Sequence, residues 1–172
     1  MLLRGLRFVA GAAAGFLIWW YGTPYYDAVL AVPAQAIVRV DGRLCGAELR
    51  AADRAITVRP RLCPAPPATI PADQLTYNVI LLAGLFAMRW RNLSAFLASL
   101  AIVAATQVLS LAVSIESTYA ARQDAWSVTH YSNFARDVWV SAEFWWRLVG
   151  MFAVVFVCWW MATAIRSAVR RK

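Results

Sequence analysis

The chain of 172 residues has the length of one ordinary domain, yet 62% of it is hydrophobic and only 15% charged, far from the balance of a soluble domain. That excess needs an apolar solvent, and the apolar runs identify it as a lipid bilayer. The formal charge of +8 does not point to nucleic acid, because the cations flank apolar stretches and form neither a basic helix face nor a long Lys/Arg run.

The first apolar run goes from Phe8 to about Val32, behind Arg4 and Arg7. About 20 apolar residues cross a bilayer, so a first span is predicted over 8–32. Pro24 is expected to kink or end this helix near the far interface. It sits among Trp19, Trp20, Tyr21, Tyr25 and Tyr26, ring types that favour the headgroup layer. Ala34-Gln35-Ala36 resembles a signal-peptide cleavage site, but the run before it is too long and too aromatic for a usual signal core. Gly11 and Gly15 form a small-xxx-small pattern that permits close helix contact. It is read as intramolecular packing, with dimerisation as the alternative.

Residues 33–71 change character. Ile37-Val-Arg-Val-Asp-Gly42 alternates and ends in Asp-Gly, a hairpin-turn signal. Ala47-Glu-Leu-Arg50 and Ala55-Ile-Thr-Val-Arg59 supply further short strands. Pro60, Pro64, Pro66, Pro67 and Pro71 then predict an extended, irregular lead-in to the next helix. The segment reads as a small β-rich loop outside the membrane.

A second, short span is expected over 72–88 and a third over 93–115, joined by the polar turn Arg89-Trp90-Arg91-Asn92 as a helical hairpin. Ser99, Thr106, Gln107, Ser110 and Ser114 recur every three or four residues in the third span. Polar side chains facing lipid are costly, so this stripe is expected to face another helix, with Asn78 as partner for Gln107. Residues 116–143 read as a second outer loop. Within it, Phe134, Val138 and Trp139 have the spacing of an amphipathic helix lying on the membrane surface. A fourth span is predicted over 144–165, followed by Arg166, Arg170, Arg171 and Lys172.

An even number of spans puts both termini on one side. The short segments on that side carry Arg4, Arg7, Arg89, Arg91, Arg166, Arg170, Arg171 and Lys172 and no acid. The positive-inside rule then makes the termini cytoplasmic and the chain integral to the cell (inner) membrane. Cys45 and Cys63 fall in the outer loop, where an oxidising compartment favours a disulfide that staples a segment with little core. Cys158 reads as packing in the fourth span.

Chemistry is sparse. The single His and the lack of CxxC or HExxH motifs argue against a metal centre, and no Gly-rich phosphate loop suggests a nucleotide cofactor. No carboxylate is expected mid-bilayer, which weakens a transporter or channel-subunit reading. One constellation carries a sharper hypothesis. Cys63, Arg122 and His130 all fall on the outer side next to predicted spans, and a thiol nucleophile needs a base and a nearby cation.

That order of Cys, Arg and His around successive spans resembles the exosortases and archaeosortases, membrane cysteine transpeptidases that process carboxy-terminal sorting signals. Here the Cys stands as Cys63-Pro64-Ala65 rather than before Ser/Thr-Gly, and Val113-Ser-Ile-Glu-Ser117 replaces the family's Arg-bearing helix end. Leu75-Thr-Tyr-Asn-Val-Ile-Leu-Leu82, Ala105-Thr-Gln-Val-Leu109 and Phe144-Trp-Trp-Arg147 look more like the small membrane proteins associated with exosortase H. That resemblance implies an integral membrane partner of a sorting enzyme without catalysis of its own. The expected molecule is an all-α membrane protein: four transmembrane helices, a small β-rich extracytoplasmic loop, no cofactor, and another integral membrane protein or a second copy as partner. The alternative is a cysteine transpeptidase using Cys63, Arg122 and His130.

Overall fold

A computed structural model describes residues 2–40, 42–88 and 93–169, with side chains through Ala164. The expected polar turn at 89–92, Asp41 of the Asp-Gly signal and the cationic side chains from Arg166 onward lie outside the described residues.

The first helix, α1, runs unbroken from Leu2 to Val40 with Pro24 and Pro33 inside it. It does not end at Pro24. A proline at position 24 cannot donate to the carbonyl four residues back, that of Trp20. Arg54 Nη2 makes that hydrogen bond instead, at 3.2 Å, and the Thr23 hydroxyl bonds the Trp19 carbonyl. With the freed acceptor satisfied from outside, the helix continues, and Ile37–Val40 are helical rather than a strand. At ~1.5 Å per residue α1 is about 58 Å long, nearly twice the roughly 30 Å of a bilayer's hydrocarbon. Thr23, Asp27, Leu30, Ala31, Ala34 and Val38 mark its buried face.

After a 3-10 turn at Gly42–Leu44 come strands β1 (Glu48–Ala52), β2 (Ala55–Arg59) and β3 (Ala68–Pro71). They form an antiparallel sheet in sequence order. The first two strands match the sequence expectation. Gly42 opens the 3-10 turn, while the hairpin turn of these strands lies at Asp53-Arg54, both with positive φ. Ala52 pairs with Ala55, so this is a two-residue loop of the type that fits the strands' own twist. The proline-rich stretch ends in β3 instead of staying irregular, because the sheet edge offers β3 a partner over 68–71.

The inner face of the sheet, Leu49, Ile56, Val58, Ala68 and Ile70, packs with Ala31, Ala34 and Val38 of α1 and with Leu111, Ile115 and Tyr119 of α4 (Leu93–Ala121). This is the core at the sheet end of the bundle. A second core forms around Leu82, Leu85, Val103 and Val155, with Phe8, Phe86, Phe96 and Trp159 against it.

The predicted second span becomes a four-residue turn of helix, α2 (Asp73–Thr76), followed by α3 (Asn78–Ala87). Its pairing with α1 is antiparallel. Trp19 Nε1 donates to the Thr76 hydroxyl at 3.0 Å, while Gly11 lies against Ala83 and Ala87.

The expected outer loop 116–143 is helical throughout most of its length. The third run extends past residue 115 to Ala121, followed by α5 (Asp124–His130) and α6 (Asn133–Trp145). The latter does not lie apart as a surface helix. It packs along α4 and passes through a π turn at Trp146–Gly150 directly into α7 (Met151–Val169). Among the described residues three helices are long and apolar enough to cross a membrane: Leu2–Val40, Leu93–Ala121 and Asn133–Ala164. By itself α3 is below spanning length.

Candidate functional site

At the C-terminal end of α4 the structure gathers several of the residues singled out in the sequence. Leu62 N–H donates to the Cys45 carbonyl at 3.2 Å, which brings the chain after β2 beside the chain after α1. Cys45 N–H then donates to Cys63 Sγ at 3.0 Å. The Cys63 thiol points to the carbonyls of Arg43 (3.4 Å) and Cys45 (3.7 Å). Arg43 places its guanidinium 4.6 Å from the centroid of the Tyr131 ring, a cation–π contact. The Tyr131 hydroxyl donates to Glu116 Oε2 at 2.7 Å.

His130 is exposed. Its ring stacks on Trp126 at 4.3 Å, and Nδ1 lies 2.9 Å from the Trp126 carbonyl. Trp126 also meets the edge of Tyr119 at 5.3 Å, so His130 extends an aromatic cluster. Arg122 is exposed just beyond α4. Among the described residues no hydrogen bond joins Cys63 to His130 or Arg122. The contacts of the Cys63 thiol are thus two carbonyls and a backbone N–H.

Farther from the sheet, a polar seam links α1, α3 and α4. Gln107 is fully buried. Its amide Nε2 donates to Asn78 Oδ1 and, at 3.4 Å, to the Thr76 carbonyl, and its Oε1 accepts from the Tyr26 hydroxyl. Ser99, Ser110 and Ser114 are buried on the same side of α4. Gly11 and Gly15 let α3 approach α1: a Cβ on Gly11 would fall 2.2 Å from Ala87 Cβ, and one on Gly15 2.7 Å from Ala83 Cβ.

Two carboxylates escaped the sequence reading. Asp27 is 0% exposed, and neither carboxylate oxygen has a hydrogen-bond partner among the described residues. A single acid at the end of an aromatic-rich apolar run looks like a headgroup-layer residue, and only its place on the buried face of α1 tells otherwise. Glu116 lay in what read as a loop and is instead buried in α4.

Glu116 also borders an apolar groove. Ile37 and Val40 of α1 form one side and Trp139 of α6 the other, over Leu109, Ala112 and Val113 of α4. Val40 is 87% exposed and Leu109 57%. Large apolar side chains left open in this way mark surfaces for a partner or for lipid. The described residues contain no group of three or more His, Cys, Asp or Glu placed to hold a metal ion. No family model, curated protein or solved structure matches this chain, so its function is argued from this geometry.

Proposed function

We propose that the chain is a non-catalytic integral membrane protein that docks an apolar segment of a second integral membrane protein at its outer face. The groove between α1 and α6 carries the reading. It lies beside α4 at the level of Ile37–Val40, about 16 Å or more beyond Tyr26 along α1 at ~1.5 Å per residue, and it is apolar apart from the carboxylate of Glu116. A groove placed there, level with the sheet, suits a membrane-anchored partner whose apolar segment continues past the bilayer surface. The resemblance to exosortase-associated proteins makes a sorting enzyme the natural partner class.

In this reading four helices cross the bilayer. With α2 and α3 running from the level of Trp19 back to the level of Gly11, antiparallel to α1, they supply the fourth crossing. The tryptophan and tyrosine belt marks the outer interface, joined there by Gln74, which accepts from Arg147 Nη1 at 2.8 Å. Both termini are cytoplasmic in the cell membrane, since the short segments on that side hold cations and no acid.

A photo-crosslinking amino acid at Val113 tests the docking. In native membranes it is expected to trap one integral membrane protein, while the same probe at Thr57, on the far face of the sheet, traps none. Crosslinks to lipid alone, or equal protein capture from both positions, would defeat the reading. Capture of a second copy of this chain would make the partner a homo-oligomer. The cysteine transpeptidase alternative requires Cys63, Arg122 and His130 to act together; loss of function in a Cys63→Ala variant that folds and docks normally would restore it.

A further inference from the structure

We propose that Cys45 and Cys63 are a covalent modification site: they close an intrachain disulfide by thiol–disulfide exchange, stapling the segment after α1 to the segment after β2. Two observations carry this. The backbones are already in register, with Leu62 N–H bonded to the Cys45 carbonyl at 3.2 Å. Contact is so close that a Cβ on Gly46, whose φ is +65°, would meet Leu62 Cγ at 2.8 Å. Independently, Cys63 Sγ sits 3.0 Å from the backbone nitrogen of Cys45, against the very residue it would join. The Cys45 thiol meets the Gly42 carbonyl at 2.7 Å, so a change of rotamer there is the movement that closes the bond. Both residues are partly exposed, whereas Cys158 is buried in α7.

The oxidant class is a small or protein disulfide, for which oxidised glutathione is the probe. One protein thiolate attacks a glutathione sulfur, forming a mixed disulfide and releasing one glutathione thiolate. The second protein thiolate attacks the protein sulfur of that mixed disulfide and releases the other. Two protein thiols are oxidised to one disulfide, oxidised glutathione is reduced to two thiols, and the two protons go to them. The bond would hold the Gly42–Leu44 turn, whose Arg43 covers Tyr131. Through Tyr131 and Glu116 it would steady one wall of the groove.

The bond is independent of the docking reading; only its occurrence in the cell rests on the orientation proposed above. The full-length chain in detergent is equilibrated in mixtures of oxidised and reduced glutathione, blocked with maleimide, weighed intact and mapped by proteolysis. At the oxidising end a species lighter by two hydrogens is expected, with Cys45 and Cys63 unlabelled and their peptides linked, in wild type and in Cys158→Ser alike. Reduction should lower the melting temperature of wild type by roughly 5 °C or more and leave Cys45→Ser unchanged. Full labelling of both cysteines at every ratio, or a bond found only between chains, overturns the proposal. A bond that forms in detergent but is missing in cells, where an impermeant maleimide also fails to reach Cys63, leaves the site standing and removes the orientation.

Discussion

Arg54 completes a helix to which it does not belong. Its Nη2 bonds the Trp20 carbonyl that Pro24 leaves without a donor, and its guanidinium lies 3.5 Å from the centroid of the Trp20 ring. The contact ties the hairpin tip to α1 at the aromatic belt. Arg54 adopts φ 62° to do this, a conformation that glycine tolerates far better than alanine. Arg54→Ala is therefore expected to lose about 1–2 kcal/mol through the ring contact and the orphaned carbonyl while keeping the backbone strain. Arg54→Gly should be less damaging, because it relieves that strain. Thermal unfolding of the two variants in the same detergent checks the order; equal losses would mean the turn conformation costs nothing.

The glycine face of α1 predicts a position-specific cost. A methyl group at Gly11 would collide with Ala87 and one at Gly15 with Ala83, whereas at Gly5 and Gly22 it meets nothing within 4 Å. Gly11→Ala should destabilise by about 1–3 kcal/mol, as overpacking does, and Gly22→Ala should be close to neutral in packing. If Gly11→Ala alters self-association and leaves monomer stability intact, the face serves a dimer instead of α3.

These examples show why part of the molecule was legible in the sequence and part was not. Apolar length betrays membrane-compatible helices, and alternation around Leu49, Ile56 and Val58 betrays strands, because both are local patterns. Pro24 misleads because the Trp20 carbonyl that it frees is rescued by Arg54, 34 positions further along the chain. The true hairpin turn hides because Asp53-Arg54 carries no glycine. The stretch 116–143 reads as loop from its charges, yet Glu116 is answered by Tyr131, and Glu143 by Arg147 at 2.6 Å, in an i,i+4 pair. Once paired, these charges no longer oppose helix or burial. The cysteine, arginine and histidine were placed on one side by counting spans, but counting spans cannot say that Trp126 holds the histidine ring.

On the exposed edge of the sheet, Glu48 accepts from Arg50 Nε at 2.9 Å and from Arg61 Nε at 2.6 Å. These bonds, reinforced by the two positive charges, hold its carboxyl below the usual carboxylate range. A carboxylate whose folded pKa is depressed contributes stability that is fully present above its unfolded pKa and is lost as pH falls through the folded value. The difference in melting temperature between wild type and Glu48→Gln should thus be constant above about pH 4.5 and shrink toward zero below it. Because the group is solvent-exposed the difference should be small and should fall with added salt. A gap that widens on acidification would contradict the assignment.

Asp27 and Gln107 make opposite predictions from neighbouring positions on one seam. Gln107 is buried with its amide fully engaged by Tyr26, Asn78 and Thr76, so Gln107→Ala strands their polar groups and should cost about 1–3 kcal/mol. Asp27 is equally buried but its carboxylate has no hydrogen-bond partner among the described residues. Retaining a charge there opposes folding, so Asp27→Asn should raise the melting temperature, by the equivalent of about 1–3 kcal/mol. A residue whose removal stabilises the fold needs another reason to be present. Crosslinking from Val113 in the Asp27→Asn background separates two cases. If docking weakens while stability rises, the buried carboxylate serves partner binding from beneath the outer face. If stability falls instead, a partner within the seam satisfies Asp27, and its role is to hold α1 against α4.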